Sequence, residues 1–373
     1  MDAVGIIFSN IHDGNMPELT AGRTTASIPF CGRYRLIDFA LSNMVNSGLT
    51  KVGVITKSNY QSLMDHIGSG KDWDLARRHG GLIILPPFGV QESTSLYNTR
   101  LEALKTVTGF LARSKEEFVV LSDSDMVCNM DYTELLQFHN RRQADITLVY
   151  FKTKQKNIHG ANNIILGLEE KGRLTDMAFD PDKGAEESEV NLYANVCIMR
   201  KSLLQNLIAD AVAHGKRHFG ADVLAANINH LKIYAWEHRG YFVRISSLQS
   251  YYEESLKLLQ KQNRDSLFGS GDVYTKVKDS IPTTYGDSAV VKNSLIADGC
   301  SIEGEVYNSI IFRGVKVGKG TVVKNSILMQ DTMVGDNALI NCIITDKNVI
   351  IKDRRVLSGC DSHPFFVSKN TIL

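Results

Sequence analysis

"VGIIFSNIHDGNMPELTAGRTTASIPFCGRYRLIDFALSN" runs from Val4 to Asn43. It joins a short apolar run at 4–8, which reads as a buried strand, to a helical pattern over 36–47. In an alternating α/β chain, the turn after the first strand is where phosphate is gripped. Glycines there let backbone N–H groups close around the anion. This turn has one glycine in its first half, Gly14, and no lysine. It has the position of a phosphate loop without the usual composition.

Outward from that stretch, apolar runs at 52–56, 82–86, 118–122 and 146–151 read as further buried strands. Helical patterns lie near 60–67, 96–112 and 131–142. The series implies a mostly parallel sheet with helices on both faces. Strands near 162–180 and 192–200, helices near 202–213 and 220–228, strands at 231–236 and 241–246, and an amphipathic helix near 248–262 complete a first domain, 1–262. An irregular stretch, 263–289, reads as a linker. Beyond 290 the helical period disappears. "NSLI" at 293, "NSII" at 308, "NSIL" at 325 and "NCII" at 341 recur, with aliphatic residues about every six positions between them. A three-sided coil over 290–373, each side turning an aliphatic residue inward, accounts for that period. A sandwich of short strands has no reason to repeat in this way. Asn293, Asn308, Asn325 and Asn341 are placed to form an amide ladder. Ile310, Leu339 and Ile343 are candidate outward apolar residues for an oligomer contact.

Composition narrows the function classes. With 373 residues, 43% hydrophobic and 22% charged, the chain is an ordinary globular one of more than one core. A formal net charge of +1 gives no signal for nucleic acid or an anionic membrane. No apolar run reaches the roughly 18 residues of a membrane span, and Met1-Asp2-Ala3 lacks the basic start of a signal peptide. Six scattered cysteines without a CxxC read as reduced thiols of a cytoplasmic protein.

Two patterns carry candidate chemistry. "VVLSDSDMV" places Asp123 and Asp125 at the C-terminal end of a strand, the edge where ligands of open α/β sheets sit. They could hold Mg²⁺ against nucleotide phosphates, or serve as turn and cap residues. Arg33 and Arg35, in "RYRLIDFALSNMVNSG", are spaced to take an anion, or are surface arginines.

The block "IPFCGRYRLIDFALSNMVNSGLTKVGVIT", the D-x-D strand end, "HFGADVL" at 218–224 and the C-terminal repeat together resemble the bacterial ADP-glucose pyrophosphorylases (glucose-1-phosphate adenylyltransferases) over essentially the whole chain. The resemblance implies a Rossmann-like nucleotidyltransferase domain of the sugar-nucleotide type followed by a left-handed parallel β-helix. It also implies Mg²⁺-dependent joining of ATP and glucose 1-phosphate to give ADP-glucose and pyrophosphate. Within the family the chain is most similar to the GlgD-type subunits found beside a catalytic subunit, because it departs from the catalytic pattern. The paired glycines of the first loop fall on Asn10 and Ile11, its arginine on Asn15 and its later lysine on Thr25, while Arg23 survives. The base-contacting GTA motif becomes "YNTRLEA", with Arg100 in it. The sugar-phosphate lysine falls on Asp180 and the second metal carboxylate on Arg244; Asp125 alone remains of the metal pair.

Cβ atoms at 10 and 11 obstruct a triphosphate. Loss of the cations removes the counter-charge for the leaving pyrophosphate, and each such loss typically costs about 10²–10³-fold in rate. The expectation is a regulatory, non-catalytic partner of the catalytic subunit in a heterotetramer. No catalytic residue is assigned, and no cofactor is required unless the chain is active, in which case it needs Mg²⁺. The alternative is a slow adenylyltransferase that recruits Arg23, Asp125 and Arg100. A hexapeptide-repeat acyltransferase is disfavoured, since residues 290–360 contain no histidine to act as base. A small anionic effector is expected at the domain junction. Arg33 and Arg35 occupy the family's effector-lysine block there, and Arg354 and Arg355 form a further basic pair.

Overall fold

The computed structural model describes residues 1–87, 97–158, 160–180, 188–269 and 271–373. Its N-terminal part is built on one nine-stranded sheet. The strand Ala3–Phe8 lies near the middle, parallel to Lys51–Ile55 on one side and to Phe118–Asp123 on the other. Both central strands are buried along their whole length, as expected of near-continuous apolar runs covered on both faces. Beyond Phe118–Asp123 comes the long antiparallel strand Glu189–Arg200, which also pairs Ile146–Lys154. Separate apolar cores fill the two faces of the sheet.

The helix expected over 96–112 is two helices, Arg100–Thr106 and Thr108–Arg113, broken at Val107 in a run of β-branched residues; position 96 lies outside the described residues. The stretch 220–228 forms irregular helical turns. The amphipathic helix ends at Lys257, and a second, Lys261–Phe268, runs into the stretch read as linker.

The C-terminal part is a left-handed parallel β-helix of three five-stranded sheets. Its first strand, Thr284–Tyr285, precedes the repeat seen in the sequence. The inward column includes Ile302, Val317, Val334 and Ile351. The amide ladder forms: Asn293 donates to Asn308 (2.8 Å), Asn308 to Asn325 (3.4 Å) and Asn325 to Asn341 (3.1 Å). The corner itself shifts, however. Asn293, Asn308 and Asn325 adopt left-handed φ of 45–48°, and in the next rung Cys342 takes that conformation (φ 54°). Strand register agrees, with Ile327 opposite Ile344. The fourth motif is therefore displaced by one residue from its apparent alignment.

The outward apolar candidates separate into three environments. Leu339 is 49% exposed. Ile343 is buried in the coil's own core. Ile310 points out of the coil but is buried with Ile327 and Ile344 against Phe30, Phe39 and Tyr251 of the N-terminal part. The coil and the N-terminal part thus share a core, and the helix Leu248–Lys257 lies in it. Tyr252 Oη donates to Asn325 O at 2.6 Å, and Gln249 Nε2 to Asp361 O at 2.9 Å. Among the described residues no helix is long and apolar enough to cross a membrane.

Candidate functional site

The strand Phe118–Asp123 ends with Asp123 opposite Phe8, so its carboxylate emerges beside the turn that follows the first strand. That turn delivers His12, whose Nε2 lies 2.5 Å from Asp123 Oδ2 and 3.5 Å from Asp125 Oδ2. Arg100, at the start of its helix, clamps Asp123 from the other side with Nε 2.9 Å from Oδ1 and Nη2 on Oδ2. Burial pushes the Asp123 carboxyl up, but Arg100 and His12 outweigh it and hold the group well below the usual carboxylate range.

Asp125 is held by a second guanidinium. The short strand Phe242–Arg244 pairs with Met126–Cys128, and Ile245 N donates to Asp125 O at 2.7 Å. This fixes Arg244 with Nε 2.8 Å from Asp125 Oδ2 and Nη1 3.2 Å from Asn163 Oδ1. Both side chains are at least nine-tenths buried.

His12, Asp123 and Asp125 bring potential metal-ligand atoms within 4.8 Å of one another. The donor set does not fit Mg²⁺. Each carboxylate already carries a guanidinium, and Mg²⁺ prefers oxygens with open positions for water over an imidazole nitrogen. Two arginines supply here the positive charge that a cation would bring.

The remaining positions of the degenerate motifs lie around this network. Asn10 is buried and accepts from Tyr97 Oη at 3.0 Å. Ile11 packs on the core beside the helix of Arg100. Asn15 is half-buried in the turn. Thr25 donates through its N (2.7 Å) and Oγ1 (2.8 Å) to Asp13 Oδ1. Asp180, at φ 42°, accepts from Asn163 N at 2.7 Å. Ile11, His12, Arg100, Asp180 and Phe219 line one cleft of about 440 Å³.

Arg23 is not in that cleft. Its Nη2 lies 2.6 and 2.7 Å from the two carboxylate oxygens of Asp346, in the coil, with both side chains buried. The expectation of Arg23 as a nucleotide-pocket remnant is corrected: the coil's carboxylate takes its guanidinium. Arg35 lies close by. Burial lowers it to about 10, with Asp38 opposing and Arg23 adding to the effect. Lys347 is pushed down to about 7 by burial and by Arg35, Arg23 and Lys278, with Asp346 opposing. Arg35, Arg23 and Lys278 are therefore within electrostatic reach of Lys347 at the junction; Arg23 is buried, Arg35 and Lys347 are half-buried and Lys278 is exposed. Arg33 is exposed over the Tyr34 ring, 5.7 Å away, on the hairpin that packs against the coil. Arg354 and Arg355 are exposed on the last rungs, and no described contact joins them to those residues at the junction.

Sequence reasoning missed Asp123 as the hub of the buried network, and it missed Asp346 and Lys347. The first has a local signal in D-x-D. The other two sit in the coil more than 300 positions from their partners, and nothing local marks them.

Residues 16–261 match the family described as Nucleotidyl transferase, and 280–373 match the GlmU-like, C-terminal hexapeptide family. The chain is 33% identical over 372 residues to the glycogen biosynthesis protein GlgD of Bacillus subtilis (strain 168), covering 99% of this chain and 96% of that protein. It is 35% identical over 370 residues to the GlgD of Geobacillus stearothermophilus, covering 99% and 96%. It is also 30% identical over 387 residues to the glucose-1-phosphate adenylyltransferase of Clostridium perfringens (strain 13 / Type A), covering 96% and 97%.

Proposed function

From the premise that this chain belongs to the nucleotidyl transferase family, among the ADP-glucose pyrophosphorylases and GlgD proteins of glycogen synthesis, we propose that it is a non-catalytic regulatory subunit of glucose-1-phosphate adenylyltransferase. The observation that carries this reading is Arg244 on Asp125, 2.8 Å apart and buried, where the family resemblance puts a second metal carboxylate. A guanidinium locked on the remaining metal carboxylate competes with Mg²⁺ for the same oxygen and repels it. Asp180, at the sugar-phosphate lysine position, turns attraction into repulsion.

The regulatory part of the reading rests on the junction. Arg23, Arg35, Lys278 and Lys347 gather near Asp346, with Asp38 and Asp65 beside Arg35, and among the described residues Arg23 Nη1 is buried without a partner. Such a gathering of positive charge, partly open to solvent, suits a small phosphorylated or carboxylated effector. The helix Leu248–Lys257 touches the coil and begins just after Arg244, so it links the junction to the cleft.

Mixing the protein with a catalytic family member tests the reading. Co-purification of the two, with an altered effector response in the mixture, is expected. Lys347→Gln should blunt that response without preventing assembly. Absence of a complex, or identical activation curves with and without the chain, contradicts it.

A further inference from the structure

We propose that the cleft selects an uncharged, hydroxyl-rich ligand of hexose size in place of a sugar phosphate; the inference rests on the non-catalytic reading of the site and names what it would still bind. Among the described lining residues the only guanidinium is Arg100, and it is already clamped on Asp123. Among the described lining residues there is no lysine, and the wall carries Asp180, a carboxylate that repels a phosphate.

The rest of the wall suits hydroxyl groups. Asn98, Asn162, Asn163 and Asn195 line it with His12 and His218. Amides both donate and accept, as hydroxyls do. Asn195 is the informative member. It sits where the strand Glu189–Arg200 slips register between Tyr193 and Cys197, and it adopts a left-handed φ of 59°. Such bulges re-aim a side chain. Asn195 is 4% exposed, and among the described residues its Nδ2 has no partner. His12 Nδ1, on the same wall, is likewise buried and unpartnered among the described residues. A buried polar atom without a partner is costly, and a hydroxyl, which both donates and accepts, recovers that cost. The apolar part of the wall is Ile11, Ile164, Phe219 and Phe179, the last 43% exposed. An exposed ring on the same wall as Asn195 gives a platform for the C–H face of a pyranose, with the Asn195 amide placed for a hydroxyl. The cleft's volume of about 440 Å³ accommodates one hexose and its first waters.

The test uses the full chain and two probes, methyl α-D-glucopyranoside and glucose 1-phosphate, with binding followed by saturation-transfer NMR and calorimetry. The glycoside is expected to bind at least tenfold more tightly than the phosphate, without Mg²⁺. Asn195→Ala should weaken it at least tenfold. Because that position has a left-handed backbone, Phe179→Ala provides a second variant at an exposed site, and it too should weaken the glycoside severalfold with an unchanged Tm. Equal or tighter binding of glucose 1-phosphate, no glycoside binding, or glycoside binding unaffected by both variants overturns the proposal. A missing glycoside signal in a chain that also lacks turnover removes this inference alone. Mg²⁺-dependent turnover removes the reading beneath it.

Discussion

At the scale of single residues, the site turns on two buried carboxylates and two guanidiniums. Removing one member of a buried, hydrogen-bonded ion pair leaves an uncompensated charge and typically costs about 3–5 kcal/mol, whereas replacing both by apolar residues of similar volume is often neutral. Arg244→Met should therefore destabilise the chain by about that amount in urea unfolding, and the double variant Arg244→Met/Asp125→Leu should recover most of it. If the double variant is as unstable as the single, the pair is not what holds this corner together. A second residue-scale expectation concerns Lys347, lowered from 10.5 to about 7 by burial and its cationic neighbours. Between those values the unfolded chain binds the proton and the folded chain does not, so stability rises with pH through that window. An anion seated among Arg23, Arg35 and Lys347 favours the protonated form. Affinity for sulfate, an anion whose charge is constant over this range, should accordingly fall as pH rises through about 7, and Lys347→Gln should flatten the profile. A pH-independent affinity in the unmodified chain contradicts the placement of the anion.

At the scale of elements, the helix Leu248–Lys257 and the coil column Ile310, Ile327, Ile344 form one core. Ile327→Ala removes buried apolar volume at that seam and should cost about 2–5 kcal/mol. A value near zero would mean the two parts are stabilised independently. Most of the elements were legible in the sequence, because strand runs and the coil period are local patterns. The places where it misled are also physical. The helix near 96–112 breaks where β-branched residues cluster, and the last repeat is displaced by one residue because Cys342 takes the left-handed corner. The site was half legible. Asp125 and Arg244 were marked by departures from the family pattern, but their contact depends on the pairing of Phe242–Arg244 with Met126–Cys128 across more than 100 residues. Arg23 was assigned to the wrong neighbourhood for the same reason, since Asp346 lies in the coil.

At the scale of the whole molecule, deleting the coil would strip the shared core from the N-terminal part, so assembly is better probed on the coil's outer face. Leu339 and Val356 are register partners there, 49% and 68% exposed. If the coil carries the contact with a catalytic subunit, Leu339→Glu and Val356→Glu together should weaken co-assembly at least tenfold while leaving Tm unchanged; full-strength assembly would move the contact to the N-terminal part. The central claim, that this fold has kept its shape and lost its chemistry, is tested most directly by the turnover of the isolated protein with ATP, glucose 1-phosphate and Mg²⁺. The expected rate is negligible beside that of a catalytic relative assayed in parallel. A turnover in the range of about 1–10³ s⁻¹ typical of working enzymes, abolished by Asp125→Ala, would contradict the claim.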